Sequence, residues 1–220
     1  MKKKITAVTA LSLVIAILLS VSGFAASTTK TEALLDKVSN SKQISVTMTA
    51  GDTVLGSSTD TYYINGDAAA FDYNSGFFTV RVVLRDGTAY AYFPILPFFY
   101  AKLDNTGLIK MDVSAIIKNA VGLTKGITHF EKSYEEELDG KKYYVEQFND
   151  GAQVKLKFYY DGDELKLLSV YDAKTKSTQN TYFENISFTV DDKVTAVPTG
   201  IDISPLLKTI IIALIGSMFV

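Results

Sequence analysis

The chain of 220 residues contains no cysteine. That excludes disulfides, thiolate metal sites and a cysteine nucleophile. It also excludes the N-terminal lipid anchor of bacterial lipoproteins, whose acylated residue is a cysteine. Histidine is nearly absent too. His129 is the single example, so no zinc site of histidine and thiolate can be assembled. No nucleophile motif or triad order accompanies it, and its place in Thr-His-Phe-Glu-Lys puts it on an alternating strand, facing solvent or a carboxylate. There is no glycine-rich phosphate loop; the glycines stand singly in turns. Nor is there a cationic excess: 22 basic residues face 24 acidic ones, which leaves no electrostatic reason to seek nucleic acid or anionic headgroups. Glu135, Glu136, Glu137 and Asp139 run along one strand into a turn. Neighbours on a strand point to opposite faces, so they form neither a facing acid pair nor a calcium loop. These absences point away from an enzyme and predict neither cofactor nor metal.

What is present begins with an export signal. Lys2, Lys3 and Lys4 precede an apolar stretch from Ile5 to Leu19, and Gly23-Phe24-Ala25 places small residues at −3 and −1 of a cut before Ala26. Residues 1–25 therefore read as a cleaved signal peptide. The apolar run is shorter than the roughly 20 residues of a spanning helix. The expected location is extracellular or cell-envelope associated, without lipidation on cysteine. Residues 26–205 are expected to form one domain, held by its core alone.

After a polar leader at 26–30, Ala33, Leu34, Leu35 and Val38 lie on a helical stripe and predict a helix near 31–39. From Gln43 the period drops to two: Ile44, Val46 and Met48 alternate with Ser45, Thr47 and Thr49. Gly51-Asp52 is expected to turn the chain into Thr53–Ile64, and Asn65-Gly66 to turn it again. Four Asp-Gly pairs follow, at 86–87, 139–140, 150–151 and 161–162, and this dipeptide suits two-residue hairpin turns. The last three recur every 11 residues, so 128–172 reads as four antiparallel strands, with Thr178–Val190 adding another. Asp112 as N-cap, an apolar stripe of Val113, Ile116, Ile117 and Ala120, and Gly122 predict a second helix at 112–122. Ser204 and Pro205 open a third, apolar run, Leu206–Val220. Such a run either packs on the sheet or contacts membrane. The fold class expected is α+β, mostly antiparallel β: a strongly curved sheet or half-barrel with a few helices covering its concave face.

Aromatic residues are abundant and clustered. Tyr90, Tyr92, Phe93, Phe98, Phe99 and Tyr100 surround Pro94 and Pro97 in a hairpin loop too apolar for ordinary exposure. The loop is either packed in the core or forms the rim of an apolar site, and these six are the candidate ligand-binding residues.

The stretch Val80–Phe93, the following Phe99-Tyr100-Ala101-Lys102-Leu103, the aromatic turn Phe158–Leu165 and the late Val197-Pro198-Thr199-Gly200 resemble, in order and spacing, the LolA/LppX-type carriers and exported Gram-positive proteins similar to them. The resemblance covers most of 30–205. It implies an unclosed half-barrel whose hollow accepts acyl chains, and hence a non-catalytic binding protein with lipid or lipoprotein acyl chains as partner. The alternative is a structural or interaction protein of the cell surface whose C-terminal helix touches the membrane.

Overall fold

A computed structural model describes residues 29–53, 56–74, 76–103, 129–149 and 154–205. The expected signal peptide, the helix at 112–122 and the run Leu206–Val220 lie outside the described residues.

Helix α1 spans Lys30–Asn40, so Thr29 and Lys30 form its cap and first residue and do not belong to the expected polar leader. The Thr29 hydroxyl accepts the Glu32 N–H and the Glu32 carboxylate accepts the Thr29 N–H, each at 3.1 Å. This capping box satisfies two backbone donors that a helix start otherwise leaves open. Among the described residues twelve strands follow: β1 (Gln43–Thr53), β2 (Gly56–Asn65), β3 (Ala68–Asn74), β4 (Thr79–Arg85), β5 (Thr88–Tyr92), β6 (Phe99–Leu103), β7 (His129–Leu138), β8 (Lys141–Asn149), β9 (Val154–Asp161), β10 (Glu164–Asp172), β11 (Ser177–Ser187) and β12 (Ile201–Asp202).

All twelve belong to one open sheet, in the order β12-β6-β5-β4-β3-β2-β1-β11-β10-β9-β8-β7. Every pairing is antiparallel except β12 on β6. The sheet thus joins two meanders, β1–β6 and β7–β11, along a seam between β1 and β11. Its charged outer strand β7 exposes Glu131, Lys132, Glu135 and Glu137, which discourages edge-to-edge pairing.

Asp86-Gly87 and Asp139-Gly140 form the expected two-residue turns, with positive φ at both central residues. Three turns fall elsewhere than expected. Strand β1 continues through Gly51-Asp52 to Thr53, because the pairing that runs from Gln43↔Asn65 to Ala50↔Ser58 centres the hairpin beyond Asp52. At 65–68 and 161–164 the central residues are Gly66-Asp67 and Gly162-Asp163, one position later than Asn-Gly or Asp-Gly would place them. Glycine leads there with positive φ, as a type II′ turn requires.

The core lies mainly on one side of the sheet. Pairing places Ile44, Val46 and Met48 of β1 on the same side as Tyr62, Phe71, Val82, Ala91 and Ala101 in one direction and Phe183, Leu168, Phe158 and Phe148 in the other. Most of these side chains are buried, and Tyr62 stacks on Phe71 at 4.7 Å. Helix α1 covers the β1/β8–β11 part, inserting Leu35 and Val38 among Val46, Phe158, Leu165 and Leu168.

One carboxylate sits in this apolar contact. Glu146 of β8 is 1% exposed, and its two carboxylate oxygens accept the backbone N–H groups of Lys30 and Thr31, each at 2.8 Å. The charge is thus met by two amide donors and by the positive end of the α1 dipole. The hydroxyls of Thr31 and Tyr160, 3.0 Å apart, close the same corner.

Two outcomes follow from this packing. Glu146→Ala leaves two buried amides unpaired and is expected to cost about 3 kcal/mol, read as a lower urea midpoint; an unchanged midpoint would show that the helix start is held by its capping box alone. The second concerns alkali. Burial, with the charge of Asp60 beside it, raises the Tyr62 phenol well above its ordinary range. Burial also raises Tyr160; the Thr31 hydrogen bond opposes this and the Glu146 charge adds to it. A raised folded value contributes stability that is present below the unfolded value of about 10 and is lost as pH climbs through the folded one. A late rise of tyrosinate absorbance should therefore coincide with loss of far-ultraviolet circular dichroism. Complete tyrosine ionisation before any loss of structure would contradict it.

Candidate functional site

The apolar loop joins β5 to β6, and its prolines explain its shape. Phe93-Pro94-Ile95-Leu96 is closed by the Leu96 N–H on the Phe93 carbonyl at 2.8 Å, and Leu96-Pro97-Phe98-Phe99 by the Phe99 N–H on the Leu96 carbonyl at 3.1 Å. Proline occupies the second position of both turns, where its fixed φ is already correct. Two successive β-turns thus form a short rigid loop.

The loop stands at one end of the sheet. The Arg81↔Tyr92 and Asn74↔Thr79 pairings bring the β3–β4 turn to the same end. There Phe78 packs edge-on against Phe93, with ring centroids 6.2 Å apart. Phe77 is 94% exposed and Ile95 84%, while Phe93, Leu96, Phe98 and Phe99 are also exposed. No charged residue occurs in 75–80 or 93–101. The result is an uncharged aromatic rim, larger than the scattered apolar residues of an ordinary surface.

Strand β12 braces this rim. The Ile201 N–H donates to the Phe98 carbonyl and the Ile203 N–H to the Tyr100 carbonyl, both at 2.8 Å. Ser204 completes the edge: its Oγ accepts the Lys102 N–H at 2.6 Å and donates to the Lys102 carbonyl at 3.0 Å. The approach demands glycine at 200, where φ is +151° and a Cβ would fall on the Phe98 carbonyl.

The six residues nominated from sequence divide. Phe93, Phe98 and Phe99 belong to the exposed rim. Tyr90, Tyr92 and Tyr100 lie on the other side of the sheet, Tyr92 buried and Tyr90 edge-on to Tyr100 at 6.0 Å. There Arg81 donates from Nε and Nη2 to the two carboxylate oxygens of Asp72, each at 2.6 Å. The guanidinium lies 5.7 Å from the Tyr63 ring. The Asp72 hydrogen bonds raise Arg81 above its ordinary value, so it stays a cation tied to a buried partner. Val194, from the segment that follows β11, packs on this tyrosine cluster.

Phe77, Phe78, Ile95 and Leu96 extend the rim beyond the sequence nominations. Ile95 and Leu96 stood inside the apolar segment already singled out. Phe77-Phe78 joins it only through strand pairing, which no local pattern announces.

The other sequence features find ordinary roles. His129 is exposed at the start of β7. Glu136 turns to the opposite face from Glu135 and Glu137, and binds Lys157 at 2.8 Å and the Tyr159 hydroxyl at 3.2 Å. Burial works against its charge, but the Lys157 bond and nearby tyrosine hydroxyls hold it below the usual carboxylate range. Among the described residues no group of acids and histidine could hold a metal ion, and no helix is long and apolar enough to cross a membrane. A groove between α1 and the β10–β11 strands is lined by Lys30, Leu34, Lys37, Lys166, Ile186 and Phe188, a mixture of charge and hydrocarbon.

Gly200→Ala is expected to release β12 from the rim loop. Hydrogen exchange should then accelerate at the Ile201 and Ile203 amides while the β1 and β11 amides keep their protection. Unchanged exchange at 201 and 203 would mean that the backbone accommodates the side chain without moving.

No family model matches the chain, and no curated protein matches it significantly. Among solved structures it is similar to an uncharacterized conserved protein from Thermus thermophilus, at 8% identity and a TM-score of 0.36 over 74% of this chain and 91% of that one. A likeness this slight leaves the site itself to speak for function.

Proposed function

We propose that the chain is an exported, non-catalytic protein that binds a lipid or an acylated partner through the aromatic end of its sheet. The observation that carries the reading is the uncharged rim of Phe77, Phe78, Phe93, Ile95, Leu96 and Phe98, held out to solvent by proline turns and braced by β12. An acyl chain offers such a surface what it lacks, about 0.8 kcal/mol for each methylene buried. The export signal read at residues 1–25 supports the reading, since export would bring the molecule to where such partners occur.

A half-barrel of the LolA/LppX kind is the architecture we propose for the whole. Three features support it. Register shifts at Thr47/Met48, Phe130/Lys132 and Leu165/Leu167 add local twist. Curling is one of the ways in which a twisted open sheet grows beyond about ten strands. Both meanders, finally, bury the same side of the sheet: Val80, Val82, Ala91 and Ala101 in one, Leu156, Phe158 and Leu168 in the other. In this reading the buried side is the concave one.

The expected result is a discrete excess mass, extractable as lipid, when the protein is purified without detergent or incubated with phospholipid vesicles and examined by native mass spectrometry. A bare mass under both conditions would overturn the proposal.

A further inference from the structure

The rim has features that a soluble ligand alone does not require. Its two most exposed side chains, Phe77 and Ile95, sit on separate loops that touch through Phe78 and Phe93. They stand at loop tips and not in a groove. Part of the loop backbone is also paired or lacks a donor. Pro94 and Pro97 have no N–H, the Leu96 and Phe99 N–H groups are bonded within the loop, and the Phe98 carbonyl is taken by Ile201. Each N–H that is absent or already bonded is one fewer to be stripped of water, the condition lipid imposes on any segment entering it. A protein partner would instead be met by polar groups around an apolar centre, yet 93–101 offers no charge. Strand addition beside β6 is blocked, since β12 and Ser204 already hold its outer edge.

We propose that this rim seats the protein on a bilayer, with Phe77 and Ile95 entering the boundary between headgroups and acyl chains. The inference rests on the lipid-binding reading above and adds the surface from which the lipid is met. Because both loops are uncharged and the chain has a formal net charge of −2, attachment is by apolar burial and not by attraction to anionic headgroups. It should therefore occur on phosphatidylcholine vesicles and survive high salt, where electrostatic attachment is screened away.

The chain contains no tryptophan, so one introduced residue reports alone. In Phe77→Trp and Ile95→Trp, emission is expected to shift to the blue on adding phosphatidylcholine vesicles and to be quenched by brominated acyl chains. Tyr171→Trp, at another exposed position, should do neither. Position-specific reporting separates the rim from any contribution of Leu206–Val220. Phe77→Ser and Ile95→Ser should each weaken vesicle partitioning about tenfold, with thermal stability unchanged because both side chains are exposed. Emission at 77 and 95 that ignores vesicles would overturn the proposal. So would a blue shift that grows with protein concentration without vesicles, the mark of a second copy on the rim. Lipid cargo without a tryptophan response sinks the docking and leaves the binding reading standing; a response without cargo does the reverse.

Discussion

The Glu146 carboxylate is the point on which the two halves of the sheet depend. Helix α1 belongs by sequence to the first meander, since it leads directly into β1, yet its first turn is held by a residue of β8. A carboxylate taken out of water is costly unless charge and hydrogen bonds replace what water supplied. Here two amides and the helix dipole do so, and the groups to be satisfied sit on different meanders. Neither the helix start nor the acid is at rest without the other. Around this tie, Leu35 and Val38 fill the space over Val46, Phe158 and Leu168, so that polar and apolar contacts cross the β1–β11 seam together.

At the other end of the strands the balance is reversed. Loops are normally polar because their backbone must find water. The β5–β6 loop reduces that need through two prolines, two internal turn bonds and the β12 strap, while its side chains are apolar. The strap has its own requirement in Gly200, where only a missing Cβ lets the chain approach Phe98. The exposed rim is therefore a property of supported backbone as much as of composition.

Local features were legible in the sequence and distant ones were not. The apolar stripe of α1, the hairpins at Asp86-Gly87 and Asp139-Gly140 and the four-strand run after residue 128 each depend on a few adjacent residues, and each is where the pattern puts it. The β1–β2 turn was misplaced because alternation continues through Gly51-Asp52, and only the pairing of both arms locates its centre. Glu146 gave no warning: in an alternating strand, a charged residue reads as solvent-facing until a helix N-terminus is known to lie above it. Phe77-Phe78 and the proline loop became one surface by strand order alone, and Tyr90, Tyr92 and Tyr100 were separated from their phenylalanine neighbours by the two-residue period of their own strands.

The seam also sets an order of events. Strand β1 is bordered by β2 on one side and by β11 on the other, and those partners are, respectively, its immediate successor and nearly the last strand of the chain. During synthesis from the N-terminus, the first meander can pair internally while the far edge of β1 stays open until residue 187 has been made. Contacts so far apart in sequence close slowly, and an open strand edge invites the wrong partner. On the face away from helix α1 that strand carries Ser45, Thr47 and Thr49, hydroxyl side chains with little apolar surface to offer a stranger, while Ile44, Val46 and Met48 line the other face. The middle of the finished sheet thus closes only after both meanders that flank it have been made.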